Sequence, residues 1–397
     1  MRRPQHTVTA VEVQQLSSQL MSPLLGTWPT AVRTCTLNAV LALLTYAASR
    51  ITSLSDASAR LANAPDSDTV LAHLRCQLVD TATLDRRLRG VLAASLPRAL
   101  RRGTWDIAMD LTLIAYHGEP LADSTEIYRG EPKSGTTHFH AYATAFVIRD
   151  GLRFTLAIFP VTGGTPSHEV VRQLRRRIVA AGVKIKRVLL DRGFNNAGTI
   201  RYLQSARQPF IMPQAVHGRA PRSGQLTGLR AIRATHATGW TTYAWKPKNE
   251  HRVRVDVCVV RRRRRDRGGN RAFLYACWGV RSTPATVRRV YRLRFGIETS
   301  YRQMNQCRIR TTTRNPAIRL LFVAVALLLR NLWAWLHWVV VSARGRGGRR
   351  VRLERLRLRT MLVWLLHLAE QAFSICDQTY ADHPPDEPLV ARQRFRP

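Results

Sequence analysis

The sequence predicts a mixed α/β protein: an α/β core follows an all-helical N-terminal region and is interrupted by a β-rich insertion. Residues 1–100 carry apolar residues mostly at helical spacing, whereas strand-like apolar runs alternate with helices from 101 to 212. Three further strand-like segments break that order, and helices then return. The predicted divisions are 1–100, 101–212, an insertion at 213–283, a second part of the core at 284–342, and a basic C-terminal region at 343–397.

Within the N-terminal region, helical periodicity is clearest at 31–49, 69–79 and 83–96. Pro65-Asp66-Ser67-Asp68 is typical of a helix start, with Asp66 or Ser67 as the N-cap. Pro97 ends the third helix.

The core begins with strand-like runs, two of which flank Arg149-Asp150-Gly151, a strong β-hairpin signal. Pro166 stands at the first position of the next helix, where proline is tolerated. The predicted elements are strands at 105–116, 141–148 and 152–159, a helix to about 181, a strand at 186–190, a helix at 196–205 and a strand at 209–212. This order, β, β-hairpin, α, β, α, β, resembles the ribonuclease H-like core.

The insertion carries predicted strands at 242–245, 252–260 and 272–278. In the middle one, valines alternate with polar residues, as in a half-buried antiparallel strand.

The charge is the strongest compositional signal. The 397 residues include 63 Lys and Arg but 25 Asp and Glu, a formal net charge of +38. Such an excess indicates a polyanionic partner, usually nucleic acid and less often an anionic membrane surface. Arginine-rich stretches at 261–265 and 344–359 are predicted to contact a nucleic-acid backbone. The helical stripe Arg172, Arg175, Arg176 and Arg177 is predicted to face DNA as well.

A membrane-bound protein is the main alternative raised by hydropathy. Residues 320–341 are apolar and long enough to cross a bilayer. Arg330-Asn331 interrupts the run at its middle, and a central arginine costs about 2.5–3.5 kcal/mol on insertion scales. We therefore predict a buried core helix. No signal peptide opens the chain and the six cysteines form no C-x-x-C pair, so we expect a cytoplasmic, nucleoid-associated protein without structural zinc.

Because acids are scarce, each carboxylate can be considered individually. Asp110 lies inside an apolar strand, where a carboxylate is costly unless it is paired or binds a metal. Asp191 ends the next apolar strand of the core. Glu298 lies in a helical segment where Tyr291, Arg294, Glu298, Tyr301 and Asn305 are spaced by 3, 4, 3 and 4 residues, which places all five on one helix face.

Two strand-borne aspartates and a glutamate delivered by a helix suit two Mg²⁺ ions, which prefer oxygen ligands. Two such ions stabilise both the attacking and the leaving oxygen of an in-line phosphoryl displacement. With the basic charge, this set predicts cleavage or joining of DNA or RNA.

These motifs resemble those of prokaryotic insertion-sequence DDE transposases. The resemblance rests on Asp110 in Ile-Ala-Met-Asp-Leu-Thr, Asp191 in Asp-Arg-Gly-Phe, and Tyr291-x2-Arg294-x3-Glu298. More narrowly, it points to the group with a Tyr-Arg-Glu-Lys signature and a β-rich insertion, and it spans roughly residues 100–340.

The resemblance implies that Asp110, Asp191 and Glu298 hold Mg²⁺ or Mn²⁺ and are catalytic. Hydrolysis at each transposon end would free a 3′-hydroxyl, which attacks the opposite strand to give a hairpin, or later attacks target DNA. The partners would be the terminal inverted repeats and target DNA, held by a homodimer, with the N-terminal helical region binding DNA. Tyr291 and Arg294 would grip phosphates of the terminal nucleotides, and Arg192 is counted with them as a DNA-binding residue. A transposase-derived DNA-binding protein with a decayed site is the alternative.

One position departs from the signature. The lysine expected seven residues after the glutamate is Asn305, which carries no charge; Arg302 or Arg308 could substitute for it. Relatives in this group use an insertion tryptophan to stabilise a flipped base, for which Trp240, Trp245 and Trp278 are candidates and Trp245 is counted as DNA-binding.

Overall fold

The computed structural model describes residues 7–29, 35–121, 123–149, 151–220, 224–248, 251–263, 270–345 and 348–376, with the side chains at 263, 270, 297–299, 344, 345, 348 and 349 excepted. The helices are α1 Ala10–Leu25, α2 Leu37–Arg50, α3 Leu54–Ala59, α4 Ser67–Gln77, α5 Thr81–Ala94, α6 Arg98–Arg102, α7 Ser167–Ala180, α8 Ala197–Ser205, α9 Gly228–Thr235, α10 Pro284–Arg292, α11 Gly296–Asn305, α12 Pro316–Leu336 and α13 Leu358–Phe373. The strands are β1 Thr104–Ala115, β2 Tyr128–Lys133, β3 Thr136–Arg149, β4 Leu152–Val161, β5 Lys184–Leu189, β6 Phe210–Pro213, β7 Gly239–Trp245, β8 Val253–Arg263, β9 Asn270–Trp278, β10 Ala343–Gly345 and β11 Gly348–Arg350.

The core sheet has the predicted ribonuclease H-like arrangement. β1 pairs antiparallel with β3, β3 pairs antiparallel with β4, and β1 and β5 are parallel, as are β5 and β6. The hairpin predicted around Gly151 joins β3 to β4, and Gly151 has the positive φ of 76° that favours glycine. β2, which the sequence did not predict, pairs with the first residues of β3.

The insertion continues this sheet. β9 pairs antiparallel with β6, and β8 and β7 follow, so the strand order reads β2-β3-β1-β5-β6-β9-β8-β7, with β4 on β3. All three predicted insertion strands are confirmed, and each is longer than its sequence pattern indicated. The predicted arginine stretch lies partly in β8; Arg264 and Arg265 fall outside the described residues.

Helices cover both faces of the sheet, and two buried clusters distinguish the faces. Ala108, Phe146 and Leu189 pack with Tyr291 on the face covered by α10 and α11. The neighbouring residues Ile107, Met109 and Val147 point to the other face, since successive side chains alternate along a strand. α7 contacts β3, β4 and β5, and its buried residues belong to the cluster on that second face.

The N-terminal helices pack with α12 and α13. Asp66 caps α4, accepting from the backbone N–H groups of Asp68 and Thr69, which confirms one of the two predicted caps. Arg177 on α7 forms a bidentate ion pair with Asp85 on α5, at 2.6 and 2.9 Å, and its side chain is almost fully buried. The prediction that Arg177 faces DNA is therefore wrong, because burial holds it between the helical region and the core.

The apolar stretch at 320–341 lies in α12 and the π-helical turn His337–Val341. By length and composition this helix could cross a membrane, but its most apolar 18-residue window is buried entirely inside the protein. It packs on α1, α2, α5, α11 and β4. The prediction of a core helix is confirmed.

Candidate active site

Asp110 and Asp191 lie on adjacent parallel strands. Asp110 is in β1, opposite Thr144 of β3, and shares its face of the sheet with Ala108 and Phe146. Asp191 follows the end of β5, which pairs with the first half of β1. Because β1 runs beyond the end of β5, both carboxylates meet at one place on this face.

One guanidinium joins the two aspartates. Arg294 Nη2 lies 2.6 Å from Asp191 Oδ1, and Arg294 Nη1 lies 3.7 Å from Asp110 Oδ2. Burial disfavours the Arg294 cation, but the charges of Tyr291, Asp110 and Asp191 outweigh burial, so the pKa of Arg294 is raised. Asp191 keeps about half of its side chain exposed, whereas that of Asp110 is mostly covered. The pair is therefore open to solvent on the Asp191 side.

Two tyrosines of the predicted helix face also contact the sheet beside these aspartates. Tyr291 donates to the carbonyl oxygen of Leu190 at 3.3 Å, directly before Asp191. The hydroxyls of Tyr301 and Thr144 lie 2.7 Å apart, on the strand position paired with Asp110. Burial, then the charge of Asp110, raises the pKa of Tyr301 well above its usual value. Tyr291, Arg294 and Tyr301 thus face the sheet, as their spacing predicted.

The backbone of this segment is not one uniform helix. α10 ends at Arg292, a 3₁₀ turn spans Leu293–Phe295, and α11 begins at Gly296. Glu298 lies in the first turn of α11, on the face of the sheet that carries Asp110. Its side chain lies outside the described part of the structure.

Gly296 permits the close approach of a partly buried arginine. A Cβ at this position would overlap the Arg153 guanidinium of β4. The absence of a side chain therefore fixes how closely the start of α11 packs on β4, two residues before Glu298.

α12 packs on α11 and contacts it through a buried arginine. Arg330, 1% exposed, donates to Ser300 Oγ and Gln303 Oε1, both at 3.2 Å. Burial, then the nearby Arg153 cation, lowers the pKa of Arg330 to about 9. In the sequence, Arg330 indicated only that the apolar stretch does not span a membrane. Its position in an otherwise apolar run was the signal that it supports another element.

Asp106, on the same face of β1 but nearer its start, is occupied elsewhere. Its two oxygens accept from Arg187 Nε and Nη2, each at 2.8 Å. This bidentate pair links β1 to β5 and separates Asp106 from the two site aspartates.

The remaining predicted DNA-contacting residues divide by exposure. Arg192, Arg302 and Asn305 are exposed, and Arg192 follows Asp191 directly. Tyr291 and Arg294 are buried and engaged by protein groups. A phosphate contact by Arg294 therefore requires its guanidinium to leave at least one aspartate.

The three tryptophans of the insertion lie on different faces of the sheet. Trp240 is 36% exposed, and its indole N–H donates to Ser282 O at 3.1 Å. It is paired with Cys258 of β8, which is paired in turn with Tyr275 of β9. The Tyr275 ring lies 5.1 Å from that of Tyr291. Trp245 and Trp278 pack on the cluster of the opposite face, and Trp245 stacks on Tyr243. Trp240 alone of the three is on the face that carries the aspartates.

The oxygen-rich donor set fits a hard divalent cation. Asp110 and Asp191 both approach a single cationic group, and carboxylates are the ligands that Mg²⁺ and Mn²⁺ prefer. Among the described side chains, no three His, Cys, Asp or Glu residues form a metal-binding group; Glu298 is not among them.

Comparisons with known proteins bear on the family and the fold. The profile of the family described as transposase DDE domain matches residues 101–332, more than half of the chain. The cryo-EM structure of a piggyBac transposase synaptic complex with hairpin DNA is similar in fold, with a TM-score of 0.55 and 11% identity over 94% of this chain and 82% of that one. No curated protein matched the sequence. The match includes Asp110 of β1, Asp191 just after β5 and Glu298 of α11, and this chain belongs to the DDE transposase family.

Proposed function

We propose that this transposase cleaves DNA at the ends of its own element and transfers the freed 3′ ends into target DNA, with a hairpin end as the intermediate. The observation that carries this proposal is the pair Asp110 and Asp191, joined by Arg294 beneath the helix that bears Glu298. Such a site can hold two divalent ions beside a phosphodiester. The basic charge of the chain supplies the attraction to DNA.

Asp110, Asp191 and Glu298 are the proposed ligands of Mg²⁺ or Mn²⁺. Two such ions, when bound, stabilise the attacking and leaving oxygens of an in-line displacement. Tyr291 and Tyr301 fix the helical segment to the sheet on either side of Arg294. Arg294 offsets one of the two negative charges of the aspartates and is placed to turn its planar guanidinium toward a phosphate.

Trp240 is the residue that we propose stacks on a base flipped out during hairpin formation. It is the insertion tryptophan on the face of the site, and more than a third of it is exposed. Flipping costs a few kcal/mol and is offset by stacking on an aromatic ring. Trp245 lies on the opposite face of the sheet. For Trp245 to bind DNA, as the sequence analysis predicts, the DNA would have to follow a second path to that face.

We further propose a homodimer on DNA, because two transposon ends must be held together for a coordinated reaction. Its place of action would be the cytoplasm, on the nucleoid.

The proposal is tested with a DNA fragment carrying the ends of the element and Mg²⁺ or Mn²⁺. Wild type should cut at the ends, whereas Asp191→Ala should lose at least a hundredfold in rate. Asp256→Ala, at an exposed position of β8, is the matched control and should cut normally. Equal activity of wild type and Asp191→Ala rejects the catalytic assignment. If all three proteins bind DNA but none cuts it, a decayed DNA-binding protein is the correct interpretation.

A further inference from the structure

A basic cavity of about 690 Å³ lies on the same face of the sheet as Asp110, farther along β1. Its walls come from the end of β1, the first half of β3, the segment joining α11 to α12 and the first turns of α12. Ile114 and Tyr116 line it, and both share the face of Asp110, since they are separated from it by even numbers of residues. The cavity and the aspartates thus lie along one strand.

Four arginines line this cavity: Arg308, Arg310, Arg314 and Arg319. In the part of the chain that the structure describes, none of them is ion-paired with a carboxylate. Arg319 is 6% exposed, lies over the Tyr116 ring at 4.6 Å and donates from Nε to the Thr313 carbonyl oxygen at 2.6 Å. Burial of both Arg308 and Arg319 lowers their pKa, and neighbouring arginines lower it further. Uncompensated cations held this close favour an anionic ligand.

A buried histidine in the wall carries an unused polar atom. His140 is 5% exposed, and its Nε2 is buried without a hydrogen-bond partner. The ring makes an edge contact with Tyr116, at 4.7 Å between centroids. A buried polar atom of this kind is costly unless a ligand or water satisfies it. The one carboxylate in the described lining, Glu119, is exposed at the rim.

The spacing between the cavity and the site suits a nucleic-acid strand. Ile114 is four residues from Asp110, about 13 Å at about 3.3 Å per residue. Phosphates of one strand of B-DNA rise about 3.4 Å each along the axis and also wind around it, so neighbouring phosphates are farther apart than this rise and the distance spans only a few nucleotides.

We propose that this cavity binds backbone phosphates of the DNA strand whose scissile phosphate lies at Asp110 and Asp191, a few nucleotides from that phosphate. The inference rests on the proposed function, because it takes DNA as the substrate. Arg310 and Arg314 would meet the phosphates at the rim, and Arg308, Arg319 and His140 would line the base of the cavity.

The test measures DNA binding without a divalent ion, so that it does not depend on cleavage. The variants are Arg310→Ala/Arg314→Ala, at two exposed positions, and Arg308→Gln, at the base. The control Lys184→Ala/Lys186→Ala removes the same charge from exposed positions at the start of β5, the end of that strand away from Asp191. Affinity for an end fragment is measured over a range of salt concentrations. The slope of log K against log salt should fall by about 0.9 for each phosphate that the variant no longer binds.

Fragment length then locates the contact. Ends that stop at the scissile phosphate are compared with ends that extend six nucleotides beyond it on either side. Wild type and the β5 control should gain affinity from one extension, whereas the cavity variants should lose most of that gain. An unchanged slope, or an equal fall in the control, overturns the inference. The inference is also overturned if inorganic phosphate binds at the cavity while the length of the DNA fragment has no effect on affinity.

Failure of the proposed function would look different. If wild type never cuts DNA but the cavity variants lose the slope and the length effect, the phosphate site stands and the catalytic proposal falls. If Asp191→Ala abolishes cutting while the cavity variants bind as wild type does, the catalytic proposal stands alone.

Discussion

Arg294 Nη2 lies 2.6 Å from Asp191 Oδ1 and so occupies the side of the carboxylate that faces Asp110. A divalent ion shared by the two aspartates must compete with this guanidinium for the same oxygens. The metal affinity of the protein and the position of Arg294 are therefore coupled.

Replacing Arg294 by Gln should tighten Mg²⁺ or Mn²⁺ binding about tenfold, or 1.4 kcal/mol. Without metal the variant should be less stable by about 1–3 kcal/mol, because two neighbouring carboxylates lose their counter-charge and one is half exposed. Calorimetric titration and thermal unfolding with and without the ion measure both effects. Arg302→Gln, at an exposed position on α11, is the control, and unchanged or weaker metal binding by Arg294→Gln would contradict the coupling.

Gly296→Ala should destabilise the protein by about 1 kcal/mol, because its Cβ overlaps the partly buried Arg153 guanidinium, which must move aside. End cleavage should fall with it, since α11 carries Glu298. Denaturant unfolding measures the change in unfolding free energy. When Arg153 is already replaced by Ala, adding Gly296→Ala should cost less unfolding free energy than it does in the wild type, because the overlapping guanidinium is gone. Gly90→Ala, where a Cβ meets nothing within 4 Å in α5, should instead stabilise by about 0.5–1 kcal/mol.

Asn331→Leu should cost about 2–4 kcal/mol of unfolding free energy. The Asn331 side chain accepts from the Thr155 backbone N–H at 2.8 Å and donates to the Thr155 carbonyl oxygen at 2.9 Å. Leucine leaves both of these buried β4 groups without a partner, each at a cost of about 1–3 kcal/mol. Asn305→Leu, at an exposed position, should change stability by less than about 0.5 kcal/mol. Similar losses in the two variants would show that the Thr155 contacts do not matter.

Asn305→Lys should raise the rate of end cleavage. Asn305 is exposed on the last turn of α11, where a lysine would add a cation without disturbing the core. Gel-based cleavage assays compare it with Gln306→Lys, the next exposed residue, which adds the same charge off the predicted face. No increase, or an equal increase in both variants, argues against a specific end contact.

His140 should make the protein less stable in acid. Burial, then the charge of Arg319, lowers the pKa of His140 to about 4, from an ordinary value of 6.5. Below pH 6.5 the unfolded chain takes up the proton and the folded one does not, so stability falls by up to about 3 kcal/mol between pH 6.5 and 4. The groups facing this ring are Arg319 of α12 and Tyr116 at the end of β1. His140→Leu should flatten that pH dependence of unfolding, whereas His117→Leu, at an exposed position, should not.

Local patterns were sufficient for much of the fold. The core strands follow from apolar runs, the β3–β4 hairpin from Asp150-Gly151, and the α4 cap from Asp66. The helical spacing of Tyr291, Arg294 and Tyr301 also predicted correctly that all three face the sheet, although a 3₁₀ turn separates α10 from α11. The metal-binding and DNA-binding roles of the site residues stay predictions.

Relations between distant segments could not be derived in this way. The pairing of β9 with β6 joins residues more than 60 positions apart, and no local signal specifies it. The face of Trp240 or Trp245 depends on that pairing and its register. The contact of Arg330 with Ser300, and the burial of Arg177 against Asp85, likewise depend on how helices pack.

The unbroken pairing from β1 through β5, β6, β9 and β8 to β7 has a mechanical consequence. A force applied by DNA to the outer insertion strands passes through successive ladders of hydrogen bonds to the strand that holds Asp110. Movement of the insertion against the core should therefore twist the sheet, since the described strands along this path are hydrogen-bonded to one another in succession. Hydrogen exchange should accordingly show β6 and β9 opening together. Strain on the outer strands should also shift the positions of the aspartates.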